Sequence, residues 1–103
     1  MLLLVISMPR PERPSGLTGA RQKYWRWIDP KLKSRQCRWV YARTGRGAVA
    51  LFDVGSNEEL HALLNGWADI IPAHFEIYPL IDAAGAQRFL GASRAKRRPG
   101  RKA

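Results

Sequence analysis

The stretch Ala48–Asp82, AVALFDVGSNEELHALLNGWADIIPAHFEIYPLID, leaves the backbone few choices. Ala48 to Val54 is an apolar run of strand length, and Gly55 breaks it. Ser56 and Glu59 then form an S-x-x-E capping box, in which two side chains satisfy N–H groups left free at a helix start. Leu60, Leu63, Leu64 and Trp67 recur at the spacing of one helical face. Pro72 ends that segment, and Phe75 to Ile81 returns as a strand. Strand, capped helix and strand follow one another with little slack.

The preceding half supplies three more elements. Leu2 to Ser7 is continuously apolar, as suits a central strand covered on both faces. Pro9 to Pro14 is an extended link, because its prolines exclude a helix interior. Ser15 is the expected cap of a helix whose core face is Leu17, Ala20, Tyr24, Trp27 and Ile28, with Arg21, Lys23 and Arg26 on the wet side. Trp25 falls off that core series and suggests a subunit contact. Asp29-Pro30 predicts a break or kink. Gln36 to Arg43 alternates as a strand, with Cys37, Trp39, Tyr41 and Arg43 on one face. Thr44 to Gly47 reads as a hairpin turn.

The order is β-α-β-β-α-β, which specifies an α+β, ferredoxin-like fold with two helices on one face of an antiparallel sheet. Its first and third strands are central, and these are the two that read as apolar on both sides. Two helices cover one face only. In a chain of 103 residues a second copy is the economical cover for the other, so a dimer packed sheet to sheet around a cavity is expected.

Composition narrows the function. One domain is expected over residues 1–92, followed by a basic, disordered tail at 93–103. The formal charge is +10, but Arg94, Lys96, Arg97, Arg98, Arg101 and Lys102 carry six of those charges and leave the body near +4. The tail could take nucleic acid or another polyanion through counterion release, but it lacks the aromatics that stack bases. With one cysteine, Cys37, and two histidines, a disulfide and a structural metal site are disfavoured, and a cytoplasmic setting fits. MLLLVISM lacks a basic leader region and falls far short of the roughly 20 residues of a bilayer span, so no membrane partner is expected. Phosphate-loop, dinucleotide, nucleophile-elbow and zinc-protease motifs are missing from the sequence, which points to cofactor-free acid–base work or simple binding.

Candidate site residues come from two strands. If Phe75 and Ile77 face the helices, His74, Glu76 and Tyr78 point into the space between sheets, where a carboxylate or imidazole can serve as general base. Trp39, Tyr41 and Arg43 would wall a small flat anionic ligand, with arginine as a forked donor to its carboxylate. Asp53 reads as a turn residue and His61 as an exposed helix residue.

The segment LFDVGSNEELHALL, within this layout over residues 1–82, resembles the muconolactone Δ-isomerase family. The resemblance implies ferredoxin-like subunits, a dimeric α+β barrel, homodimers or larger rings of dimers, and no cofactor. It also implies isomerisation of an unsaturated lactone carrying a carboxylate, in aromatic-acid catabolism, by moving one proton. Such chemistry needs a base and an enolate donor. Glu76 or His74 would be the base, Tyr41 or Arg43 the donor, and Arg43 or Arg38 the carboxylate anchor, with Trp39 and Tyr78 lining the substrate. The PRPERP link, the RTGRG hairpin and the basic tail depart from the family. The alternatives are a cofactor-free monooxygenase or cyclase acting on an aromatic or polyketide substrate, or a non-catalytic ligand- or nucleic-acid-binding protein.

Overall fold

In the computed structural model, which describes residues 1–102 and the side chains as far as residue 92, four strands form one antiparallel sheet. They are β1 (Leu2–Pro9), β2 (Cys37–Ala42), β3 (Ala48–Asp53) and β4 (Ala73–Leu80). The helices are α1 (Thr18–Lys33), α2 (Asn57–Ile70) and α3 (Ala83–Lys102). The strand order is β2-β3-β1-β4, so β1 and β3 are central, and the order is the ferredoxin-like one. None of the described helices is long and apolar enough to cross a membrane.

Period-two alternation sets the two faces of the sheet. Leu3, Val5, Ala48, Ala50 and Phe52 are buried beneath the helices, together with Tyr24 and Ile28 of α1 and Leu60, Leu63, Leu64 and Trp67 of α2. Trp67 is the hub, with ring centroids 4.7 Å from Tyr24 and 5.2 Å from Phe75. The helix-facing positions of β3 hold Ala48 and Ala50, small enough to leave room for these rings.

Helix α2 starts where its cap predicts, with Ser56 Oγ accepting the Glu59 N–H at 3.1 Å. The reciprocal half of the box differs: Glu59 Oε2 accepts from Gln36 Nε2 at 3.3 Å, tying the helix to the start of β2. Helix α1 starts later than Ser15, after a 3-10 turn over Pro14–Leu17, and has no side-chain cap. It also runs through Pro30 to Lys33 instead of breaking at Asp29. Only one turn lies beyond the proline, and that turn is held by an Asp29–Lys33 ion pair at 2.9 Å and by Lys31 Nζ donating to Trp27 O at 3.3 Å. The basic segment expected as a disordered tail continues α3 along the backbone, in keeping with the helix propensity of Ala, Arg and Lys.

Candidate functional site: the open face of the sheet

The face away from α1 and α2 presents Leu2, Leu4 and Ile6 of β1 and Val49 and Leu51 of β3, all partly exposed. Four strands at ~4.8 Å spacing and ~20 Å length give it a footprint of about 400 Å². The pairing register arranges its residues in rows. Tyr41, Val49, Ile6 and Glu76 make one row, and Trp39, Leu51, Leu4 and Tyr78 the next. The apolar middle is therefore flanked by an aromatic edge on β2 and a polar edge on β4.

The alternation read for β4 holds. Phe75 packs on Trp67, while His74, Glu76 and Tyr78 are exposed and share the opposite parity. Ile77 shares the Phe75 side but is 44 % exposed, because β4 is an edge that the helices only partly reach. Tyr78 donates its phenolic proton to Glu76 Oε2 at 2.6 Å, and that acceptor raises the phenol's pKa. The pair is a carboxylate and a neutral phenol joined by a strong charge-assisted bond. His74 pairs with Met8 at the far end of the strand, beyond Glu76.

The reading of β2 needs correction. Cys37 does not share a face with Trp39 and Tyr41. A β-bulge between Cys37 and Trp39 inserts one residue, so Cys37 opposes Phe52 under the helices and Trp39 opposes Leu51 on the open side. Burial pushes the Cys37 thiol up to about 11, which keeps it protonated and unreactive at neutral pH. Trp39 and Tyr41 do form an aromatic pair, with centroids 5.5 Å apart.

The two arginines read as anchors are engaged elsewhere. Arg38, the bulge residue, donates to Asp53 through Nε at 3.1 Å and through Nη2. The Arg38 guanidinium holds the Asp53 carboxyl below the usual carboxylate range, so Asp53 is an ion-pair partner as well as a strand end. Arg43 follows β2, and its Nη1 donates to Ser7 O at 3.1 Å, clipping the hairpin to β1. His61 is exposed on α2 beside Asn65, whose amide donates to His61 O at 2.8 Å. Tyr41 and Glu76 stand at opposite edges of one row, three strand spacings or about 14 Å apart. Within one protomer they do not meet.

Trp39, Arg38 and Leu51 also border an open groove shared with Arg35 and, at the start of α3, Arg88. Sequence reasoning missed Arg35 and Arg88 there. No periodic signal marks them, because the loop before β2 and the first turns of α3 meet only through the register of the sheet.

A family model described as "Domain of unknown function (DUF3303)" matches residues 1–94. The chain belongs to this family. The span matched to DUF3303 contains all four strands, α1, α2 and the first turns of α3, so every residue of the open face lies inside it. None of the curated proteins matches the chain.

Proposed function

We propose that two copies pack their open sheet faces together, and that the enclosed chamber performs cofactor-free proton transfer on a small unsaturated ring compound bearing a carboxylate. The observation that carries this reading is the Glu76–Tyr78 pair at 2.6 Å, set beside an apolar floor of Leu4 and Ile6. A carboxylate on an exposed strand is an ordinary surface group. The same carboxylate closed under an apolar lid would meet a bound substrate in place of water.

Charge selects the symmetry. A two-fold axis across the strands would set each Glu76 edge over its counterpart and oppose like charges. An axis parallel to the strands sets the β2 edge of one copy over the β4 edge of the other. Tyr41 of the partner subunit then faces Glu76 as the donor, a place that Tyr41 of the same protomer, about 14 Å away, does not reach. In the reaction Glu76 takes the proton as the C–H bond breaks, and the electron pair moves into the conjugated carbonyl as an enolate. The partner's Tyr41 donates a hydrogen bond to the enolate oxygen. Glu76 then returns the proton to the far carbon of the conjugated system, and the double bond has moved. Trp39 offers an apolar wall. The resemblance to muconolactone Δ-isomerases supports the same reaction type.

Light scattering during size exclusion and ultraviolet assay of a butenolide carboxylate test the two halves separately. A dimer whose turnover falls at least ~100-fold in Glu76→Gln is expected. A monomer at micromolar concentration, or full activity in both Glu76→Gln and His74→Ala, overturns the reading. If activity survives in Glu76→Gln but is lost in His74→Ala, the base is His74.

A further inference from the structure

The open groove at the start of α3 has a volume of ≈ 530 Å³. That is several times the roughly 150 Å³ that encloses a benzene ring in an apolar core. Its floor is apolar and belongs to the open face: Leu2, Leu51, Leu80 and the Trp39 side chain. Leu80 pairs with Leu2 at the end of the sheet, and the row of Trp39, Leu51, Leu4 and Tyr78 comes next. The row of Glu76 follows, about 7 Å further along the strands. The groove is therefore continuous with the surface that carries Tyr78 and Glu76.

Two cations reach this groove from elements that meet only in the fold. Arg35 lies in the turn between α1 and β2, and Arg88 on the second turn of α3. Among the described residues neither makes an ion pair. The two carboxylates of the lining are engaged already: Asp53 accepts from Arg38, and Asp82 Oδ1 accepts the Gly85 N–H at 2.7 Å. Arg35 is also the one non-glycine residue with a positive φ, +68°, among the described residues. Glycine or asparagine is the usual choice for that left-handed step after a helix, so an arginine there carries a backbone cost. Its side chain is tethered, with Nη1 donating to Arg38 O at 3.3 Å.

From this placement we infer that Arg35 and Arg88 anchor the carboxylate of a small anion whose apolar body rests on Trp39 and Leu51. A guanidinium presents a planar fork to a carboxylate, and two of them select an anion over its neutral ester. The guest is the class of compound proposed above, and for that identity the inference rests on that reading. The groove supplies the anchor that Arg38, paired with Asp53, and Arg43, bound to Ser7 O, do not. With the carboxylate held there, the body of the anion points along the sheet toward the row of Glu76.

The test titrates the full chain with furan-2-carboxylate and with its neutral methyl ester, followed in ¹⁵N–¹H spectra. Saturable shifts are expected at the Arg35, Trp39, Leu51 and Arg88 amides, with the acid binding about tenfold more tightly than the ester. Arg88→Gln should weaken the acid about tenfold and leave the ester unchanged. Arg35→Gly, which relaxes the backbone as it removes the guanidinium, should stay folded and lose the same affinity. With a butenolide carboxylate both variants should raise KM and spare kcat, the mark of lost ground-state binding. Equal affinity for acid and ester, undiminished acid binding in either variant, or the lack of a saturable shift at millimolar ligand overturns the inference. Binding of the acid with these shifts but without turnover sinks the isomerase reading and leaves the anion site standing. Turnover at unchanged KM in both variants does the reverse.

Discussion

Replacing Tyr24 by Phe should stabilise the ligand-free protein. The ring would keep its packing, with centroids 4.7 Å from Trp67, 5.8 Å from Trp27 and 5.4 Å from Trp25. Only the hydroxyl is removed, and it has no hydrogen-bond partner among the described residues. A buried polar atom left unpaired costs about 1–3 kcal/mol, and the substitution returns that amount. For a domain of this size 1 kcal/mol moves Tm by roughly 4–8 °C, so a rise of at least about 4 °C is expected. Thermal and urea unfolding followed by circular dichroism measure it, with the urea midpoint rising at unchanged slope. A fall of about 0.5–1.5 kcal/mol in the ligand-free variant is the signature of a hydrogen bond that was being made, and it would refute the reasoning.

Two further outcomes follow from the same core. The Cys37 thiol ionises near 9 in the unfolded chain and at about 11 when buried, so between those values the native state holds a proton that the unfolded state has lost. Stability from this group is intact below pH 9 and falls by about 2–3 kcal/mol as pH rises through 11. Cys37→Ala should flatten urea midpoints between pH 9 and 10, leaving a steeper decline above pH 10 where burial also raises the Tyr24 phenol; an unaltered slope would contradict the assignment. Gly47→Ala should cost more than Gly45→Ala, by about 1–3 kcal/mol. Both glycines have positive φ, +94° and +95°, but only the Gly47 Cβ meets backbone, so equal losses in thermal unfolding would mean that the approach to Ser7 is not tight.

Local sequence determined the elements of this protein. An apolar run closed by Gly55, a serine cap and a 3–4 repeat are interactions among residues a few positions apart, and they survive whatever the rest of the chain does. The strand order followed too, because only the two central strands need apolar residues on both sides. The parity of His74, Glu76 and Tyr78 was readable for the same reason. Tertiary structure decided the rest. The bulge at Arg38 that turns Cys37 inward belongs to the pairing of β2 with β3 and has no local signature. Pro30 stays helical because only one turn follows it and the burial of Ile28 holds that end of α1 on the core. Arg38 is committed to Asp53, and Arg43 to Ser7, through partners 15 and 36 residues away. Tyr24 reads in sequence as one more core aromatic, and only the assembled core leaves its hydroxyl unpaired. Periodicity tells which way a side chain points; what it meets there depends on register, which arises between segments distant in the chain.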